Sequence, residues 1–252
     1  MFIVFSMAVM RMSGAIGLNP LFARNTVPTK IKAYFIFALS LLLYLSTDTT
    51  TAGVPESMIE YIVMLLGELF LGVVLAFAME LAFLVVRFAA SIIDYTMGLS
   101  MAQVYDPQYG TQSTVSSSIY YTFMVLLFFA SNGHLQLLAI FYRSVQAVPL
   151  GTVALNPEIV NVLTDTFFHA ITMGLQFAFP IIAIELVTEM AVGILMRVIP
   201  QINVFAVNFQ VKIIIGLLMM LLLFSPMAGY MQTIFDTMYQ TMWKLVVYMR
   251  PN

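Results

Sequence analysis

Cysteine is absent from the 252-residue chain, which removes disulfides, thiolate metal sites and thiol redox chemistry. Charge is scarce: Asp, Glu, Lys and Arg make up 9% of the residues, against about 25% in an average soluble domain. Twelve acids outnumber ten bases, so there is no basic field for holding phosphate backbones and no nucleic-acid partner is expected. Histidine occurs only as His134 and His169, and neither sits in an H-E-x-x-H arrangement that would bind zinc. No G-x-S-x-G elbow is present, and no glycine-rich phosphate cradle follows a strand pattern. These absences leave no catalytic residue, metal site or cofactor site to defend.

What the chain has in excess is apolar surface. Hydrophobic residues are 62% of the total and mean hydropathy is +0.98, too little polar surface to coat a water-soluble globule. A soluble enzyme and a disordered regulator are excluded. One helical span needs about 20 apolar residues. The expected fold is all-α: a polytopic integral membrane protein with about six long hydrophobic helices, several of them kinked or broken.

Along the chain, Met1 to Leu18 reads as the first helix, ended by Asn19-Pro20 because the residue before proline is pushed out of helical geometry. No basic n-region precedes it and no small-residue cleavage site follows, so a retained helix is expected rather than a cleaved signal. Ala33 to Ser46 is a shorter apolar run behind a loop holding Arg24, Lys30 and Lys32. Ile59 to Val86 reads as a long third segment, apolar apart from Glu60, Glu68 and Glu80, with room to continue helically through Arg87 and Asp94 to about Met101. A polar stretch, Gln103 to Ser118, precedes a fourth helix from Ile119 to Phe141. Asn156-Pro157-Glu158 reads as cap, first helical residue and dipole-matching acid. A long helix from Thr166 to Arg197 should kink at Pro180. A sixth runs from Phe205 to Phe224, and a tail from Met231 to Met249 carries Trp243, Lys244 and Tyr248, suited to headgroups. Lys and Arg lean slightly to the first, third and fifth loops, which favours both termini outside.

Ionisable groups inside apolar helices cost at least about 2.5 kcal/mol on insertion scales, so each needs a reason. Glu80, Arg87 and Asp94 step by seven and would share a face of one helix, too far apart for tight pairs with each other. Two readings stand: a face lining a wet conduit or subunit interface, or the plainer one of intramolecular pairs that hold the bundle or a helix mostly outside the bilayer. Glu185 and Glu189, one turn apart, repel unless a base or water meets them, and another chain is the expected source. Lys212, at the start of the sixth helix, is explained most simply by snorkelling. Twenty methionines and twenty-one phenylalanines fit either deformable seals or ordinary core and lipid-facing packing, the second being the stronger reading; Met97 and Met101 are the pair to test. Ser131-Asn132-Gly133-His134 is read as a helix-end turn rather than a hydrolase site.

The order of the motifs carries more than any one of them. Arg11, Gly14 and Pro20-Leu21-Phe22 are followed by Val27-Pro28, Lys32, Gly67-Glu68 and Gly72. Then come Ile93-Asp94, Met97-Gly98, Asp106-Pro107, Gly133-His134, Ser144 and Pro149-Leu150-Gly151. Pro200-Gln201-Ile202-Asn203-Val204-Phe205 and Lys212 close the series. In order and spacing, from about Arg11 to Phe224, this resembles the FliR family, export-gate subunits of bacterial flagellar and related type III secretion systems.

The resemblance implies two regions: residues 1–165, FliP-like, and residues 166–252, a FliQ-like helical hairpin with an amphipathic tail. It implies a non-catalytic subunit that joins FliP-like and FliQ-like partners in a helical pore for unfolded flagellar export substrates. The expected place is the bacterial inner membrane, within the flagellar basal body, with the gate largely on its periplasmic side. The family's plug loop matches about residues 104–118: Val104, Tyr105, Asp106, Pro107, Gln108, Tyr109, Gly110, Thr111, Gln112 and Ser113, running on to Ser118. The residues alone describe a plain flexible loop without bases. The hairpin tip, Pro200, Gln201, Asn203 and Phe205, would lie near an FlhB-like switch protein. Glu68, Glu80, Arg87, Asp94, Glu185, Glu189 and Lys212 are the intramembrane or interface charges. The alternative is a self-sufficient small-solute transporter using these charges as an ion path.

Overall fold

The computed structural model describes residues 2–22, 27–46, 52–101, 104–106, 111–198 and 204–251. Among them, eight α-helices and one two-stranded β-hairpin follow in chain order, as the apolar composition demands. Helix α1 is Phe2–Gly17 and α2 is Thr29–Ser46. The second helix begins earlier than the apolar run at Ala33, because the Pro28 carbonyl accepts the Ile31 and Lys32 amides at 2.9 and 3.2 Å and opens the first turn there. Lys30 and Lys32 therefore lie in that turn, and the helix reaches 18 residues, enough to span.

Helix α3, Met58–Met97, is a single helix of 40 residues. At 1.5 Å per residue that is about 60 Å, twice the hydrocarbon core of a bilayer. It ends at Gly98, whose φ of +80° reverses the helical hand, and a 3₁₀ turn Leu99–Met101 follows. Strands β1, Val104–Asp106, and β2, Thr111–Ser113, pair antiparallel with Tyr105 opposite Gln112. Helix α4, Val115–Ala130, starts inside the stretch expected to be loop, so Val115 to Ser118 are helical.

The helix expected over Ile119 to Phe141 is two helices. Helix α5, Gly133–Ala147, is bent 67° from α4 at a break where Asn132 takes φ 59°. An asparagine in left-handed geometry followed by glycine stops a helix, so the polar tetrapeptide is the helix-end turn read from its residues. Helix α6, Glu158–Val198, begins where Asn156 Oδ1 accepts the Glu158 amide at 3.0 Å, and runs 41 residues through Pro180. Helices α7, Val204–Leu222, and α8, Phe224–Tyr248, are bent 64° at Leu223. Pro226 lies in the first turn of α8, where its missing amide costs nothing. Among the described residues, three helices (α2, α3 and α6) are long and apolar enough to cross a membrane, or up to five spans if each bent pair counts once, against about six expected.

The chain forms two compact units. One takes Met1–Ala82, Phe128–Phe168 and Phe235–Asn252; the other takes Phe83–Leu127 and His169–Ile234. Each draws on both sequence regions, so compactness does not follow chain order. In the first unit Phe5 meets Phe37 and Tyr44 edge-on at 5.5 and 5.9 Å, seating α1 on α2. In the second, Phe83 and Tyr120 on α3 and α4 meet Tyr121 and Phe177, while Gly174 and Gly216 receive Phe88 and Met97. Methionines fill both interiors: Met7, Met12, Met79, Met97, Met124, Met231, Met242 and Met249 are fully buried. Their ordinary role, core packing, is the observed one.

Candidate functional site

The first unit is organised around a buried ion pair. Arg11 on α1 and Glu68 on α3 are both 0% exposed. Arg11 Nε donates to Glu68 Oε2 at 2.5 Å and Nη2 to Oε1 at 3.0 Å, the two-point fork that fits guanidinium to carboxylate. Nη2 also donates to the Val148 carbonyl at 3.0 Å, and Nη1 reaches Ser144 Oγ at 3.5 Å. Glu68 Oε1 accepts the Gly151 amide at 2.8 Å. Arg11, Glu68, Ser144 and Gly151, four positions of the motif series, thus converge on one node.

Glycine makes the approach possible. A Cβ on Gly72 would strike the Arg11 carbonyl, and one on Gly14 would strike the Leu69 carbonyl and stand 2.8 Å from Val73 N. The two backbones touch at a reciprocal glycine contact, which brings the bases of the long side chains within reach of each other. Gly151, with φ +82°, lies 3.0 Å from Met7 Sδ by the same measure and presents its amide to Glu68. In the sequence Arg11 stands among the motifs and Glu68 among the interface charges, with nothing local to join them. The signal was available: an opposite-charge pair in apolar helices, each followed three or four residues on by glycine.

In the second unit Asp94 and Ser116 form a smaller node. The Asp94 carboxylate, 0% exposed, accepts the Ser116 amide at 2.8 Å and a short bond from Ser116 Oγ. Ser116 is in the first turn of α4, so a residue of α3 caps the orphan donors of the next helix and complements its dipole. The β-hairpin lies in sequence between these two partners. Just before it in sequence, Gly98 packs on the Phe209 ring, where an added Cβ would come to 3.1 Å. Of the residues expected to form the plug, Val104 to Asp106 and Thr111 to Ser113 are the two strands, and Pro107, Gln108, Tyr109 and Gly110 lie outside the described residues.

The remaining charges divide. Arg87 stacks over the Tyr121 ring at 5.9 Å, and Glu80 is half-buried on α3. Lys212 on α7 pairs with Glu189 on α6 at 3.3 Å, so the base that meets this acid comes from its own chain and not from another. Glu185 is 2% exposed, and neither carboxylate oxygen has a hydrogen-bond partner among the described residues. The tip residues Pro200, Gln201 and Asn203 lie outside the described residues, and Phe205 begins α7 with Val204. Ser131 Oγ donates to the Phe128 carbonyl at 3.3 Å, a turn-closing bond. His134 stacks beside Phe129 at 5.5 Å between centroids.

Comparison with known proteins gives one consistent answer. Over 231 residues the chain is 27% identical to "Flagellar biosynthetic protein FliR" of Escherichia coli (strain K12), covering 92% of this chain and 88% of that one. The identity is also 27% over 249 residues to the protein of the same name from Bacillus subtilis (strain 168), covering 98% and 95%. A third, from Buchnera aphidicola subsp. Baizongia pistaciae (strain Bp), is 27% identical over 205 residues, covering 80% and 77%. Residues 2–238, which include both buried nodes and the β-hairpin, match the family described as bacterial export proteins, family 1. The chain belongs to the bacterial export proteins, family 1, the FliR family of membrane proteins.

Proposed function

We propose that this chain is a non-catalytic core subunit of the flagellar type III protein export gate. It joins FliP-like and FliQ-like subunits in a helical pore for unfolded flagellar proteins, in the inner membrane at the flagellar basal body. The observation that carries the reading is the family match along residues 2–238, together with relatives all named as flagellar biosynthetic proteins. Residues 1–165 supply the FliP-like part and residues 166–252 the FliQ-like hairpin, whose turn, with Pro200, Gln201, Asn203 and Phe205, faces an FlhB-like partner. The segment 104–113 plugs the closed pore. In support, it is a β-hairpin whose root is set on one side by Gly98 against Phe209 and on the other by the Asp94 cap on α4.

Two measurements test this. Affinity purification should recover FliP-like and FliQ-like chains with this one; recovery of the chain alone ends the gate reading. Deleting residues 104–113 from the assembled gate should open a conductance to small ions in planar bilayers. A deletion gate as tight as the parent removes the plug assignment while leaving the subunit assignment in place. The transporter reading is disfavoured because Asp94, one of its ion-path residues, is committed to capping α4.

A further inference from the structure

Helices α5 and α8 enclose a cleft of about 390 Å³ in the first unit. Its walls are one stripe from each helix: Gln136, Ile140 and Arg143 on α5, and Tyr239, Gln240 and Trp243 on α8. The polar groups are two amides, a phenol and a guanidinium, with no acid among them. Arg143 is exposed and has no acidic partner among the described residues. The one acid on these two helices, Asp236, is exposed on α8 a turn before Tyr239 and Gln240, against the bases Arg143, Lys244 and, just past α8, Arg250. Arg250 lies over the Trp243 ring at 5.8 Å, so a second guanidinium borders the same wall. Beside the cleft stripe, α5 exposes Leu135, Leu138 and Tyr142, an apolar flank in a protein that lives in lipid.

A cationic and amide-lined notch with an indole wall and an adjoining apolar flank has the chemistry of a phospholipid seat. Guanidinium and amide donors meet a phosphodiester, and an interfacial tryptophan sits at headgroup level. Three bases against the single acid Asp236 leave a net positive field at the cleft, which favours an anionic headgroup over a zwitterionic one. We propose that this cleft binds the headgroup of an anionic phospholipid, with Arg143 and the Gln136 and Gln240 amides holding its phosphate. The acyl chains then run along Leu135 and Leu138. The assignment is independent of the plug reading and adds a ligand to a subunit otherwise defined by protein partners.

Trp243 is the only tryptophan in the chain, so its fluorescence reports on this cleft alone. The full chain in nanodiscs is titrated with phosphatidylglycerol or phosphatidylcholine carrying brominated acyl chains, which quench an indole on contact. Half-maximal quenching should need about fivefold less phosphatidylglycerol, the worth of one interfacial base. Arg143→Gln, at an exposed position and checked by circular dichroism, should erase that preference, while Arg197→Gln should keep it. Equal quenching by the two lipids, or a preference surviving Arg143→Gln, overturns the proposal. Complete loss of the phosphatidylglycerol quenching on adding an equal concentration of sn-glycerol 3-phosphate also overturns it and assigns a soluble phosphate instead. No quenching by either lipid in the purified export assembly, where a partner subunit would then fill the cleft, overturns it as well.

Discussion

Arg11 and Glu68 show how a charge pair is tolerated where charge is most expensive. Each group alone would carry a desolvation cost of several kcal/mol, and the fork between them, with Val148, Ser144 and Gly151 taking the remaining bonds, offsets it. Removing one partner leaves the other charged, buried and unpaired. Arg11→Ala and Glu68→Ala should therefore each cost about 3–5 kcal/mol, seen as lost expression or a large fall in Tm in detergent. The double change Arg11→Met with Glu68→Leu should recover much of that loss, because an apolar pair of similar volume has no desolvation penalty. A double variant as unstable as the singles would mean that the pair is held for some reason other than charge balance. Gly14→Ala and Gly72→Ala should each cost at least about 2 kcal/mol through backbone collision, although the added group is a single methyl.

At the scale of elements, breaks and caps decide the architecture more than hydropathy does. Helix α4 begins where Asp94 supplies the cap, and it ends where Asn132 and Gly133 stop it. Asp94→Ala strips the first turn of α4 of its acceptor, at about 2 kcal/mol. Limited proteolysis within 104–113 should then run roughly thirtyfold faster, since cleavage follows the population of the opened form. Ser116→Ala keeps the amide bond and loses only the hydroxyl, so its effect should be clearly smaller. Equal rates for both variants would show that the cap does not govern the β-hairpin's root. The Asp94 contact was beyond reach of the sequence because it joins residues 22 apart across a hairpin, and neither helical period nor spacing reports such a closure.

At the scale of the whole molecule, the exposed surface is as informative as the buried one. Leu45 on α2, Leu221 on α7 and Ile59 on α3 are each about three-quarters exposed, at 75%, 76% and 76%. Helix α2 buries only Leu39, Ser40 and Leu43. Such faces need lipid or protein against them, because contiguous apolar area of this extent is not stable in water. The cysteine-free background makes each face separately addressable. Leu45→Cys and Leu221→Cys should react with a lipid-phase maleimide in the chain expressed alone, and at least one should become protected when FliP-like and FliQ-like subunits are co-expressed. Unchanged reactivity at both would mean that these faces meet lipid in the assembly and that partners dock elsewhere.

Composition alone determined that this is an all-helical membrane protein, since 62% apolar residues with 9% charge admit no soluble solution. Motif order alone determined the family, because matched spacing along a chain is a one-dimensional property. Local chemistry located the start of α6 at Asn156 and the turn at Ser131 to His134. Only the tertiary structure decided that Arg11 belongs to Glu68, Asp94 to Ser116 and Lys212 to Glu189. The physical reason is that pairing depends on which helices touch and where their glycines let them approach. Those contacts join residues 57, 22 and 23 positions apart, where the chain carries no periodic record of them.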